Sequence, residues 1–280
     1  MAPPHGLLST QVAVKGTFGP YISGILRPRM TEPGPLSEES AVDDLQTTVY
    51  AAELGWLSPV HRTWLDEVEQ GRLAGLRRAS DRDRFVLGTA LLRCVIGDLM
   101  GGGPKLIKLD RRCLRCGAPH GAPKVIGLPG TVSVTHSGNR VLVAISENSR
   151  VGVDVEKMIT RDIGEFADLV FSAEENSDVS APEFYVAWTR KEAVLKATGD
   201  GLTRSMAEVV LGPVTERPRL RRLAGRPGWS GAIADLEVGA GYAAAVACLR
   251  PVSFGSGTEP RLRVDLAGPD RVRSLLGGRS

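Results

Sequence analysis

The sequence predicts an α+β chain of two pseudo-symmetric α/β halves, each a small antiparallel sheet packed on one central helix. Three observations carry this. Two capped, largely apolar helical segments occur, around 80–97 and 180–199. Short β-type runs follow the first segment and flank the second. The order helix, strands, strand, helix, strand therefore states one theme twice, weakly in residue identity but consistently in element type.

The elements follow in chain order. Residues 1–45 carry recurrent Pro and Gly and hold no period of 2 or 3.6, so a disordered extension is expected there. TTVYAAEL (47–54) reads as a first strand. Ser80 with Asp83 three positions on has the capping-box pattern. It opens a helix through RFVLGTALLRCVIG that can stop near Gly97. This helix is apolar nearly all round, as a buried helix is. VSVTHS (132–137) and RVLVAIS (140–146) form strands joined at Gly138-Asn139, and VGVDVE (151–156) is the next strand. Ser180 and Glu183 cap the second helix, with Pro182 tolerated in its first turn. That helix runs through FYVAWTRKEAVLKAT to Gly199. GYAAAVACL (241–249) is a late strand. The division expected is 1–45 extension, 46–150 N-terminal half, 151–250 C-terminal half, and 251–280 tail or peripheral strand at RLRVDL (261–266).

Composition narrows the partners. Against 35 Lys and Arg stand 32 Asp and Glu, a net charge of +3, too weak to argue for a nucleic acid or a membrane surface. Hydrophobic residues reach 42% while aromatics are only 5%, so the core is built from Val, Leu, Ile and Ala. No apolar run approaches the roughly 18–20 residues that span a bilayer, and no secretory signal pattern opens the chain. A cytoplasmic setting is expected. Cys94 and Cys248 sit in apolar runs and read as small core residues.

Asp154 and Glu156 are i and i+2 on one strand, so both carboxylates point to one face. They follow the apolar run V-G-V at the end of a buried strand, where grouped oxygens suit Mg²⁺. Glu192 and Lys196 are i and i+4 on the second helix and share its face with Trp188. A third carboxylate and a lysine aimed at the first two would make a metal and phosphate site. Ser133, Thr135, His136 and Ser137 gather hydroxyls around a histidine at a strand-to-turn junction, where they can donate to a phosphate. Arg77, Arg78 and Arg84, at the start of the first helix, can supply charge to it.

Together VGVDVEK (151–157), FSAEE (171–175), WTRKEAVLKATGDGL (188–202) and SVTHSG (133–138) resemble the Sfp-type 4′-phosphopantetheinyl transferases. The family's motifs run (I/V)G(I/V)DxE, FSxxE and WxxKExxxK in this order. The resemblance covers roughly residues 75–250 and rests on the combination, no single motif being specific. It implies the two-half fold and an enzyme that moves the phosphopantetheine arm of coenzyme A onto a serine of an acyl or peptidyl carrier protein. It also implies Mg²⁺ on Asp154, Glu156 and Glu192. Glu192 would double as the base for the serine proton, and Lys196 would bind the pyrophosphate. His136, Thr135 and Arg84 would hold the 3′-phosphate side of coenzyme A. A fused pair of halves implies a monomer.

This sequence departs from the family in three places. Ser133 stands for the usual Asn and Thr135 for the usual Ser. Ala122 stands where the lysine of G-K-P is expected, with Lys124 the nearest cation to take its place. Cys113, Cys116 and His120 give C-x-x-C-x-x-x-H. A structural zinc site wants four ligands and no fourth is near in sequence. Thiols in a loop, with His120 on coenzyme A, are therefore expected instead. The rival reading is a non-catalytic protein of the same fold that binds coenzyme A or the carrier.

Overall fold

Strand alternation sorts the sheets' apolar residues into three of the four cores among the described residues, and these place the site. The computed structural model describes residues 44–113, 116–159, 163–199, 204–251 and 260–277, within one compact unit, Leu36–Ser280. The extension expected at 1–45, save its last two residues, lies outside them. The first part of the chain forms β1 (Asp44–Glu53), α1 (Glu67–Gly75), α2 (Ala79–Met100), β2 (Leu109–Asp110), β3 (Lys124–Val125), β4 (Thr131–Ser137) and β5 (Arg140–Ser146). The second forms β6 (Arg150–Lys157), α3 (Gly164–Val170), α4 (Ala181–Thr198), β7 (Val209–Leu211), β8 (Leu220–Leu223), β9 (Trp229–Asp235) and β10 (Tyr242–Pro251). β11 (Arg261–Leu266) and α5 (Pro269–Leu275) close the chain.

Of the two larger sheets, one has the order β11-β1-β5-β4 and the other β6-β10-β9, beside the two-stranded pairs β2-β3 and β7-β8. Val141, Val143 and Ile145 of β5 pack under α2 with Leu87, Leu91 and Val95. The alternate residues Leu142 and Ala144 face Val151, Val153 and Val155 of β6 and Ala244 and Val246 of β10. On the far side, Ala243, Ala245, Ala247 and Leu249 of β10 meet α4 through Phe184, Val194 and Leu195. Period two in each strand thus gives each sheet one helix-facing side and one side facing the other sheet.

Four details differ from the sequence expectations. Strand β1 begins at Asp44, ahead of the expected Thr47. Helix α2 is entered at Arg78 rather than capped by Ser80, whose hydroxyl accepts from Arg84 at 3.3 Å. Gly97 lies inside α2. A Cβ there would meet the carbonyl oxygen of Gly102 at 2.7 Å, so the glycine admits the returning chain, and Gly101 (φ 68°) is the residue that ends the helix. Finally, β11 adds to β1 in parallel, the exception in an otherwise antiparallel sheet. Behind it, Val272 and Leu276 enter the α2 core. The carbonyl of Leu276 lies 3.0 Å from Nε2 of the fully buried His61.

The two sheets also meet edge to edge. Odd-numbered residues of β4 point at β6 and carry hydroxyls. Thr131 accepts from the N–H of Val151 at 2.8 Å, Ser133 from Val153 at 3.1 Å and Ser137 from Lys157 at 3.0 Å. The other face of β6 lies against α4, closest at Gly152. A Cβ there would stand 2.0 Å from the carbonyl oxygen of Ala193 and 2.5 Å from the amide nitrogen of Ala197.

Gly152→Ala is expected to destabilise the fold by about 3 kcal/mol or more, since the clash is with helix backbone that cannot rotate away. Gly75→Ala, with nothing within 4 Å, should shift urea stability by no more than about 0.5 kcal/mol. Ser133→Ala strands a buried N–H and should cost about 1–3 kcal/mol in the same measurement.

Candidate active site

The even face of β6, beyond Gly152, presents Asp154 and then Glu156 toward α4. Asp154 is 4% exposed. Its Oδ1 accepts from Lys196 Nζ at 2.5 Å and from the Thr135 hydroxyl at 2.9 Å. Lys196 also donates to Thr135 Oγ1 at 3.1 Å and to the Val153 carbonyl at 3.2 Å. Glu156 accepts from the Ser137 hydroxyl at 2.7 Å. One turn back on α4, Glu192 is buried. Burial pushes its carboxyl up to about 7, opposed by Lys196 and reinforced by Asp154 and Glu156.

This donor set fits a hard divalent cation. Asp154 Oδ2 is buried and has no hydrogen-bond partner. A bare carboxylate oxygen in the interior is costly, and a metal ion is one group that satisfies it. All the facing donors are oxygens, as Mg²⁺ requires. The three carboxylates stand more openly than expected. Among the described residues, Cys113, Cys116 and His120 form the one trio of metal-ligating side chains whose donor atoms all lie within 4.8 Å of one another.

The remaining expected residues separate into three places. His136 and Arg84 come together beside the cluster. Arg84 donates to the Gly138 carbonyl at 3.1 Å and to Asp81 at 2.6 Å. Partial withdrawal of the His136 ring from water, reinforced by Arg84 and Lys196, holds its imidazole below the ordinary value. The residue as a whole remains exposed, so a bound anion can reverse this. Arg77 and Arg78 are exposed at the entry to α2. Lys124 is exposed on β3, opposite Asp110 of β2. His120 is tied to Cys116, with 2.9 Å between Nε2 and Sγ.

The hydroxyls of Ser133 and Ser137 accept from the edge of β6, and that of Ser137 also donates to Glu156. Thr135 likewise belongs to the Asp154–Lys196 cluster. The signal was in the sequence, as Thr131, Ser133, Thr135 and Ser137 keep strict period two.

Sequence reasoning also missed the fastening behind the site. Lys191, fully buried in α4, donates to the Val170 carbonyl at 2.6 Å and to Glu175 at 2.5 Å. Glu175 also accepts from the N–H groups of Ser172 and Leu211, each at 2.9 Å. Burial disfavours charge on both partners and lowers Lys191. At Glu175 it is outweighed by these donors, which hold the carboxyl below its usual range.

Comparison with known proteins supplies an independent line. The family described as the 4′-phosphopantetheinyl transferase superfamily matches residues 150–247. The chain is similar to 4′-phosphopantetheinyl transferase HetI of Nostoc sp. (strain PCC 7120), 30% identical over 206 residues, which covers 70% of this chain and 78% of that protein. It is 32% identical to 4′-phosphopantetheinyl transferase Sfp of Bacillus subtilis (strain 168) over 133 residues, 44% of this chain and 55% of that protein. To 4′-phosphopantetheinyl transferase AcpT of Escherichia coli (strain K12) it is 31% identical over 126 residues, 42% of this chain and 58% of that protein.

The raised Glu192 carboxyl has a pH signature. The folded protein holds a proton that the unfolded chain, at about 4.5, has released. Its contribution is therefore fully present below pH 4.5 and is lost as pH rises through 7. Metal-free protein should lose urea stability from pH 5 to pH 8. Glu192→Gln should flatten that decline and be the more stable protein at pH 8, by up to roughly 3 kcal/mol. An unchanged decline in the variant would assign it to another group.

Proposed function

This chain belongs to the 4′-phosphopantetheinyl transferase superfamily, and from that premise we propose how its residues divide the work. It transfers the 4′-phosphopantetheine arm of coenzyme A to a serine of an apo carrier protein, leaving adenosine 3′,5′-bisphosphate. The observation that carries the residue assignment is the Thr135–Asp154–Lys196 cluster with Glu192 poised near neutrality beside it.

Glu192 takes the proton of the carrier serine, directly or through one water. The serine oxygen forms its bond to the phosphorus that bears pantetheine. The pyrophosphate P–O bond breaks, and the electron pair leaves with adenosine bisphosphate. Lys196 sets its ammonium where that negative charge grows. Thr135 orients both Lys196 and Asp154 through its hydroxyl. Mg²⁺ held by Asp154, Glu156 and Glu192 would neutralise the pyrophosphate as a Lewis acid. Arg84 and His136 hold the 3′-phosphate side of coenzyme A, with Arg77, Arg78 and Lys124 the outlying cations. His120 we assign to the thiol cluster instead.

The reading includes a functional division into 46–150 and 151–250, with β11 and α5 of the expected tail built onto the first part rather than peripheral to it. It includes a monomer, because the site residues named above all come from one chain. No helix among the described residues is long and apolar enough to cross a membrane, and with the modest charge of +3 this supports a cytoplasmic enzyme acting on proteins rather than on membranes or nucleic acid.

Single-turnover transfer onto an apo carrier, measured beside coenzyme A affinity, tests the roles. Lys196→Ala should slow transfer by about 10²–10³, or roughly 3–4 kcal/mol, while coenzyme A binding weakens less. Glu192→Gln should be more damaging, since it removes a metal ligand and the base together. Transfer at the parent rate in both variants would sink the assignment. A parent protein that binds coenzyme A and never transfers it would favour the non-catalytic reading.

A further inference from the structure

We infer that Cys113, Cys116 and His120 form a zinc site, separate from the carboxylate cluster and independent of the transferase reading. The sequence argues against zinc because it offers only three donors. The fold nevertheless brings those three together. Their donor atoms lie within 4.8 Å of one another, and Cys116 Sγ stands 2.9 Å from His120 Nε2. Tetrahedral zinc, with bonds of about 2.3 Å to sulfur and 2.0 Å to nitrogen, separates its ligands by about 3.5–3.8 Å. The cluster therefore reaches that geometry with side-chain adjustments under about 1 Å.

The backbone here is built to present the donors. The N–H of Gly117 donates to the Cys113 carbonyl at 2.9 Å, and the N–H groups of Cys113 and His120 donate to the Ala118 carbonyl at 2.8 and 2.9 Å. Gly117, at φ 74°, makes the reversal after Cys116 that an L side chain would strain. Gly121 lets the chain close on itself; a Cβ there would meet the Arg112 carbonyl oxygen at 2.7 Å. Only the two-residue strands β2 and β3 bracket this loop, and none of its described residues, 111–113 and 116–123, joins an apolar core. A loop with so little buried apolar surface gains most of its order from a cross-link.

The donor chemistry selects the metal. Two thiolates and an imidazole are soft and intermediate ligands that favour Zn²⁺ over Mg²⁺. Cys116 and His120 are exposed, which leaves the fourth position open to water, as in three-ligand zinc sites.

The test uses the full chain, reduced and free of chelator. Zinc content should be one ion per chain and should survive gel filtration. Cobalt titration of the parent reads the ligands without any substitution: thiolate-to-cobalt charge transfer is expected, which carboxylates cannot produce. Cys113→Ser with Cys116→Ser should abolish that absorption, and His120→Ala should weaken zinc by roughly tenfold or more. Cobalt binding without thiolate absorption would overturn the inference. So would a reduced parent that takes up no more zinc than the double variant, and a Cys113–Cys116 disulfide then formed in air would make the pair a redox couple instead.

Discussion

Strand β6 has two backbone edges to satisfy, and only one of them meets a full strand partner. Along one edge β10 pairs with it from Arg150 to Lys157. Along the other, hydroxyls of β4 receive the N–H groups of Val151, Val153 and Lys157. An unpaired edge buried between two sheets would leave several amides without partners, each costing on the order of a lost hydrogen bond. Thr131, Ser133 and Ser137 remove that cost with hydroxyl oxygens that accept in place of backbone carbonyls. The two sheets therefore meet along a seam between β4 and β6 without merging into one.

The site grows from that seam. Once β6 is pinned by β4 on one side and pressed onto α4 at Gly152 on the other, Asp154 has no freedom to leave. Thr135 and Lys196 hold one of its oxygens and leave the other bare. Glu192 sits in the same confined field, and burial with two neighbouring carboxylates keeps its proton on to about pH 7. The carboxylates that fit a cation thus add to the burial that raises the Glu192 carboxyl. Tyr242 and Arg140 brace the seam from β10 and β5. The Tyr242 hydroxyl accepts from Asn139 at 2.8 Å, and Arg140 donates to the Val238 carbonyl at 2.6 Å.

Each central helix also carries a fully buried cation, Arg93 on α2 and Lys191 on α4, that fastens neighbouring segments. On α2, Arg93 is 1% exposed and donates to Asp66 at 2.6 Å, Glu69 at 2.8 Å and the Ile107 carbonyl at 2.7 Å. On α4, Lys191 does the same for Glu175 and Val170. Burying such charges is favourable only when every donor finds an acceptor. These positions consequently act more as locks on loop geometry than as net sources of stability.

Much of this was legible in the sequence. Short β-type runs located β4, β5, β6, β10 and β11, and the Ser180–Glu183 capping box set the start of α4, where the structure has the Ser180 N–H donating to Glu183 at 2.7 Å. The i, i+2 and i, i+4 spacings put Asp154 with Glu156 and Glu192 with Lys196, because those relations are local geometry. Other features depended on which segments meet. The roles of Ser133 and Ser137 required knowing that β4 lies beside β6. Gly97 reads as a helix stop until Gly102 is seen folding back onto it. The convergence of Cys113, Cys116 and His120 depended on turns at Gly117 and Gly121 that no periodicity announces. Spacing along one element is dictated by backbone geometry and can be read from residues alone. Contacts between elements are chosen by the packing of the whole chain, and only the tertiary structure decides them.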